Sequence, residues 1–288
     1  MTEQEFLDNY DITQYPQPSV AADIVLFTMN HRQTDKTISL GPLQVLMIKR
    51  ATHPFKNKWA LPGGFCQPNE TFEQTAMREL KEETGVDNAY LAETKTFTDK
   101  KRDPRGWIVS DAFTGAIWKP DCKLRTDANA WEAKWFNIYL TERVTRQPNS
   151  AQSNHVYVYD YTLLFNFGDE GAVIRRTQSI INNHKCDEWE IINQSNGLAF
   201  DHALIITQLL VNLRETIKYD PRRLFDFLPD KFTIGELEAV YKAIYGFTDR
   251  VPNFRRTIQK YVKETGDMTN DKRAFRPAML YTRNYSVF

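Results

Sequence analysis

Cysteine is scarce in this sequence: Cys66, Cys122 and Cys186 are the only three in 288 residues. They lie far apart and match no zinc-ligand spacing, so they read as reduced thiols. That excludes a disulfide framework as the organiser of the fold. Long apolar runs are missing too. No stretch approaches the roughly 18 apolar residues that a bilayer-spanning helix needs. The first eleven residues are acidic and polar, unlike a secretory signal or a transit peptide, and the cytoplasm is the expected compartment. Net charge is absent, with 37 Lys and Arg against 37 Asp and Glu, and so are internal repeats and low-complexity tracts. What remains is a globular balance, 41% hydrophobic and 26% charged, in a chain long enough for two domains.

The zero charge hides an asymmetry. Residues 216–288 hold 14 Lys and Arg against 9 Asp and Glu, an excess of five that the first 215 residues offset. A basic C-terminal third hints at a polyanionic partner for that third. Residues 22–29 and 43–50 are apolar runs of strand length, joined by a polar hairpin loop over 30–42. A turn at Pro62, Gly63 and Gly64 leads into a helix predicted over 71–84 and ended by Gly85. Further strands are expected at 107–118, 133–138, 155–167 and 173–180, with a surface loop over 145–154. Strands dominate to about residue 192 and helices follow, the first over 200–219. Pro221 disfavours helix at Asp220, which places a boundary there. The class is α+β, with domains over 1–219 and 220–288.

Residues 64–86 carry the chemistry. Gly64, Glu70, Arg78, Glu79, Leu80, Glu82, Glu83, Gly85 and Val86 stand at fixed intervals. On a helix, Glu79, Glu82 and Glu83 fall at i, i+3 and i+4, so three carboxylates share one face. Unpaired they would repel, and a hard divalent cation, Mg²⁺ or Mn²⁺, is the natural compensation. Arg78 and Glu70 are close enough across two turns for an ion pair that fastens the preceding loop. A glycine pair at 63 and 64 permits close backbone approach to a metal or phosphate. The bland alternative is a solvated acidic face. The segment matches the Nudix signature at every fixed position, and on it the chain resembles the Nudix hydrolase superfamily. The resemblance implies an α/β/α sandwich with a mixed sheet and metal-dependent pyrophosphohydrolase activity. It also implies catalytic roles for Arg78, Glu79, Glu82 and Glu83, and metal ligation by the three glutamates and the Gly64 carbonyl. Family members place the general base variously, so the sequence leaves it open; Glu79 is the candidate.

Two more stretches resemble the ADP-ribose-type branch: His53, Pro54 and Phe55 followed by Trp59 to Gly64, and Arg102 to Gly106 before a strand. Arg50, Trp59, Asp103 and Arg105 are the candidate substrate contacts. Arg105, on a proline–glycine turn, is placed either to grip a phosphate or ribose or to pair with Asp103. Trp59 is either an adenine stacker or, the commoner role, core. His53 is read as structural.

In the C-terminal third, Thr233 and Glu236 form a capping-box pattern for a helix running to Tyr245 and stopping at Gly246. A second helix is predicted over 251–264, basic near its start, which fits helix-turn-helix docking. Residues 272–276 and 279–285 read as the tip and strands of a wing. Asn253, Arg255, Arg256, Lys260, Lys272, Arg273 and Arg276 are the candidate DNA contacts. A solvated face and a protein-contact module are the alternatives. With the stretches 198–202, Leu228 to Leu237, 253–256 and 276–281, this half resembles the winged helix of Nudix-related transcriptional regulators of the NrtR type. The chain departs from them in keeping every box glutamate and in adding about 50 residues over 145–193. Two functions stay open: a hydrolase of ADP-ribose or a related nucleoside diphosphate, and a regulator of NAD or sugar metabolism that reads such a molecule as effector. Either reading expects a homodimer on double-stranded DNA.

Overall fold

A computed structural model of the chain describes residues 1–34, 37–118, 124, 130–147, 156–166, 170–181, 184–269 and 277–287. A short helix, α1 (Glu3–Asn9), precedes ten strands: β1 (Ser19–Thr34), β2 (Thr37–Arg50), β3 (Trp59–Ala60), β4 (Gly63–Phe65), β5 (Leu91–Phe97), β6 (Ile108–Ala116), β7 (Ala130–Gln147), β8 (Val156–Phe165), β9 (Gly171–Ile181) and β10 (His184–Gln194). They form one sheet in the order β10-β9-β8-β7-β2-β1-β6-β5, with β3 on β2 and β4 on β1. The sheet is mixed, because β1 and β6 run parallel while the other neighbours are antiparallel.

Side-chain alternation along β1 builds the layers. Ile24 and Leu26 point to one face, where they meet Leu46, Phe113 and Leu80 of helix α2 (Phe72–Thr84). Val25, Phe27 and Met29 point to the other, under helix α3 (His202–Tyr219). Each end of α2 is fixed locally. Thr71 and Gln74 form a capping box, and Gly85 closes the helix in the left-handed conformation at φ 75°.

Three expectations about the sheet are corrected. Residues 30–42, expected as a loop, are paired strand nearly to the tip, with Arg32 opposite Ser39 and Gln33 opposite Ile38. A two-stranded ribbon satisfies its backbone by pairing alone, so its polarity does not mark it as a loop. β5 and β10 were not expected at all. Both are edge strands, and β10 is exposed along most of its length, which removes the apolar alternation that signals a strand. The 145–193 region is a meander that extends the central sheet: β7 runs on to Gln147, and β8, β9 and β10 follow in antiparallel order. The rest of the loop expected to residue 154 lies outside the described residues.

Beyond α3, a 3-10 turn (Pro221–Phe227) leads to α4 (Ile234–Tyr245), α5 (Phe254–Ile258) and the hairpin of β11 (Val262–Met268) and β12 (Met279–Arg283). Phe232 forms an isolated antiparallel bridge to Tyr281 beside the hairpin, and the helices and hairpin together make the arrangement of a winged helix. Thr233 and Glu236 make the expected capping box, and Gly246 ends α4 at φ 76°. The helix expected over 251–264 stops early. Val262, Lys263 and Glu264 pair with Arg283, Thr282 and Tyr281, and that ladder replaces the last helical turns. One hydrophobic cluster runs from Phe27 on the sheet through Ile205 and Leu209 of α3 to Phe225, Leu237 and Ile258. The turn at Asp220 therefore redirects the chain between two parts that share a core. Among the described residues no helix is long and apolar enough to cross a membrane. Cys66 and Cys186 are free thiols; Cys122 lies outside the described residues.

Candidate functional site

Helix α2 turns its charged face toward Gly63 and Gly64, and Arg78 gathers that face. Its Nε donates to Glu70 Oε1 (2.6 Å), and its Nη2 to Glu70 Oε2 (2.9 Å) and the Phe65 carbonyl (3.2 Å). Its Nη1 donates to Glu79 (2.7 Å) and Glu82 (3.2 Å). The expected pair between 70 and 78 thus forms and ties the loop to the helix. The Arg78 bonds pull the Glu70 carboxyl down to about 2. Glu83 is buried, 5% exposed, and accepts the Gly63 N–H (2.9 Å). A Cβ at position 64 would overlap the Glu79 carboxylate, so glycine there is what lets the carboxylate lie against the turn. Glu82 is the open member, with half its side chain exposed.

Beside the turn opens a cavity of about 90 Å³ whose walls include Arg50, Phe65, Asp103, Arg105 and Phe200. Asp103 holds Arg105 in a two-point grip, Nη2 to Oδ2 at 2.7 Å and Nε to Oδ1 at 3.0 Å. The Arg105 guanidinium lies 4.8 Å from the Phe65 ring centre and 5.5 Å from that of Phe200. Arg50 lies 4.9 Å from the Phe200 ring, and its Nε donates to the Pro54 carbonyl (2.8 Å). Burial, then the charge of Arg105, lowers the Arg50 pKa. Phe200 takes φ 50°, a conformation a bulky residue adopts only when its surroundings impose it. Of the two alternatives for Arg105, the pairing with Asp103 forms, and the same side chain lines the cavity. Two guanidiniums beside two aromatic rings suit a phosphate joined to a planar group. Trp59 does not line this cavity. It packs edge-on against Phe136 at 4.6 Å, part-buried against the core, the commoner of its two expected roles.

The cavity floor is a buried ionic network. Arg102 donates to both oxygens of Asp201 (3.0 Å each) and to Asp23 (2.9 Å), whose second donor is the Ser110 hydroxyl (2.6 Å). Despite burial, His202, Arg102 and Ser110 hold the Asp23 carboxyl below its ordinary range. Burial pushes the His202 imidazole down to about 4, and its Nδ1 accepts the Leu61 N–H (2.7 Å). Asp23, Arg102, Asp201 and His202 carried no assigned role in the sequence, and neither did Phe65 or Phe200. Arg102 is 79 residues from Asp23 and 99 from Asp201, and no local spacing signals such a pairing.

In the winged helix, Arg255 and Arg256 are exposed and line a groove of about 910 Å³, and Lys260 is exposed too. Arg255 Nη2 donates to the Tyr281 hydroxyl (2.9 Å), which anchors it to the wing strand. Asn253 starts α5 at φ 59° without capping it through its side chain. Lys260 falls in the 3-10 turn Gln259–Tyr261, with its Nζ over the Tyr261 ring at 4.8 Å. Lys272, Arg273 and Arg276 lie outside the described residues.

Residues 19–157 match the NUDIX domain family, and residues 224–282 match the NrtR DNA-binding winged helix domain. The chain belongs to the Nudix family. Over 285 residues this Nudix protein is 28% identical to the ADPR responsive transcriptional repressor NtrR of Acinetobacter baylyi, covering 97% of this chain and 88% of that one. It is 34% identical over 124 residues to the ADP-ribose pyrophosphatase of Methanocaldococcus jannaschii, 43% of this chain and 64% of that one. It also resembles the crystal structure of a MutT/nudix family protein from Enterococcus faecalis, at TM-score 0.66 and 27% identity, over 98% of this chain and 94% of that one.

Nudix hydrolases generally use divalent metal ions. The donor set here fits one in kind: oxygen ligands only, with two glutamates against the Gly63 and Gly64 backbone. Among the described residues no three His, Cys, Asp or Glu side chains converge closely enough to hold an ion together. Arg78 instead draws Glu79 and Glu82 to itself.

Proposed function

We propose that the chain is a DNA-binding regulator whose Nudix domain, residues 1–219, binds and hydrolyses ADP-ribose or a closely related nucleoside diphosphate. The observation that carries this reading is the adjacency of a complete carboxylate box to a cavity lined by three arginines, two of which, Arg50 and Arg105, lie beside aromatic rings. Glu79, Glu82, Glu83 and the Gly64 carbonyl would hold Mg²⁺ or Mn²⁺, which polarises a pyrophosphate and acidifies an attacking water. Arg50 and Arg105 grip the diphosphate, and Asp103 keeps the Arg105 fork aligned. Phe65 and Phe200 offer their faces to the planar end of the ligand. Arg78 orients the box, and Glu79, against the turn, is the candidate to take the proton from water.

Residues 220–288 are the reader. Asn253, Arg255, Arg256 and Lys260, with Lys272, Arg273 and Arg276, would meet double-stranded DNA, and two copies of the chain would meet two half-sites. The relative in Acinetobacter baylyi, an ADPR responsive repressor, supports this assignment along nearly the whole chain. The deciding experiment is a panel of nucleoside diphosphates incubated with Mg²⁺ or Mn²⁺, with binding of each followed by calorimetry. Binding of ADP-ribose with metal-dependent release of AMP supports the full reading. Binding without release leaves the regulator alone, and neither binding nor release rejects it.

A further inference from the structure

Helix α3 begins against the Nudix cavity, and its first turn is incompletely bonded. Asp201 stands at the N-cap, where an aspartate side chain ordinarily accepts the N–H of the second or third helical residue. Here the side chain caps nothing. Both of its oxygens take Arg102 instead, Oδ2 from Nε and Oδ1 from Nη2, at 3.0 Å each. Leu204, the third helical residue, donates its N–H to the Asp201 carbonyl (2.9 Å). The N–H of Ala203, a residue only 1% exposed, has no hydrogen-bond partner among the described residues. Buried backbone donors are nearly always paired, so this one marks an unfinished cap.

The backbone at this point is held in an uncommon shape. Asp201 has ψ 18°, where a capping residue is usually extended, and Phe200 has φ 50°. Just upstream, backbone bonds of 2.8 and 2.9 Å fix Gly197 and Ala199 to Trp59, so the change of direction falls on Phe200 and Asp201. Arg102 also donates to Asp23 (2.9 Å), and it lines the cavity with Arg50 and Arg105. Asp23, Asp103 and Asp201 balance these arginines charge for charge. A diphosphate entering the cavity adds negative charge to a balanced set, attracting Arg102 and repelling Asp201. The first turn of α3, with its partial positive charge and its unpaired N–H, offers that carboxylate a second partner.

We propose that Asp201 is a two-position switch, a proposal that rests on the reading that the cavity takes a nucleoside diphosphate. Arg102 holds the carboxylate in one position, and a bound diphosphate that draws on Arg102 moves it to the other, where it caps α3 at Ala203. The helix has 18 residues and is therefore about 27 Å long. Leu213 and Ile217 in its far half share one core with Leu224, Phe225 and Leu237. A shift of the first turn thus moves the helix on which the winged helix rests.

The test compares wild type with Asp201→Asn and Asp201→Ser, which keep a capping oxygen but hold a guanidinium far less strongly. Both should bind ADP-ribose, titrated calorimetrically without metal, at least about fivefold more tightly than wild type. On duplex DNA from upstream of the coding region, each alone should show the affinity that wild type shows with ADP-ribose. Asp201→Ala also frees Arg102 but cannot cap, so it should share the tighter ADP-ribose binding without that change in DNA affinity. In wild type, ADP-ribose should slow hydrogen exchange in the first turn of α3, a measurement that needs no variant to fold. ADP-ribose binding no tighter in the capping variants, or exchange in α3 that bound ADP-ribose leaves unaltered, overturns the switch. So does a DNA affinity in those variants unlike that of wild type with ADP-ribose. If ADP-ribose binds and DNA does not, the DNA-binding half of the proposed function fails, while calorimetry and exchange still decide the switch. If ADP-ribose does not bind wild type, the proposed function fails and the switch falls with it.

Discussion

At the scale of single residues, the box glutamates differ in what they do for the fold. Glu82 is largely exposed, whereas Glu83 is buried and accepts the Gly63 N–H. Glu83→Gln keeps an oxygen for that N–H, so folding should survive while the charge that a cation needs is lost. Hydrolysis should fall by at least about a hundredfold, given the several kcal/mol that metal polarisation supplies. Matched thermal melts and turnover with Mg²⁺ check the two halves, and near-normal turnover would remove Glu83 from the ligand set. His202 sets a pH limit on stability. Its folded pKa of about 4 lies below the ordinary 6.5, so the unfolded chain takes up the proton first. Stability from this residue is complete above about 6.5 and declines as pH falls toward 4, by about 3 kcal/mol in all. His202→Asn, which keeps an acceptor for Leu61, should flatten that decline. Urea denaturation at about pH 7 and about pH 4.5 measures it, and an unchanged slope would assign the acid sensitivity to other groups.

At the scale of elements, one polar side chain of α3 bridges the sheet and the winged helix beside the shared core. Arg214 Nε donates to the Ile244 carbonyl (2.7 Å) at the end of α4, and its Nη2 to the Leu140 carbonyl (3.0 Å) of β7. The Tyr245 hydroxyl donates back to the Arg214 carbonyl. Arg214→Met would leave both carbonyls without these donors and should cost about 2–4 kcal/mol, read from urea denaturation. Arg214→Lys should recover only part, because an ammonium cannot reproduce the fork. Equal stability of Arg214→Met and wild type would make the latch incidental. Which elements are legible in the sequence follows from where their signals lie. The ends of α2 and α4 are local, written in Thr71, Gln74 and Gly85 and in Thr233, Glu236 and Gly246, and they were expected where they occur. The hairpin arm, β5 and β10 depend on partners rather than on their own apolar pattern, and α5 is cut short by β12, which pairs from some twenty residues away. The box was legible for the same reason as the caps, since its residues fall within one helix and the turn before it. The Arg102 network was not, because its members meet only after β1, the 102–105 turn and α3 have packed.

At the scale of the whole molecule, the continuous core from sheet to winged helix would make the proposed ligand binding and DNA binding properties of one body. If α5 enters a major groove, Arg255 and Arg256 stand in its first turn, where such helices meet bases and phosphates. Replacing both with Ala should abolish operator binding and leave hydrolysis unchanged, because neither lines the Nudix cavity. Tyr281→Phe keeps the ring in the core but removes the hydroxyl that holds Arg255, and it should weaken binding by less than the double variant does. Wild-type affinity should fall steeply with salt, since each neutralised phosphate releases counterion. The operator should be an imperfect palindrome with half-sites about one helical turn apart, or a multiple of it. A gel-shift titration on the DNA upstream of the coding region, at low and physiological salt and with or without ADP-ribose, measures all of this. Binding that ignores salt, or that is absent at micromolar protein in all four conditions, would leave a hydrolase whose winged helix serves another contact.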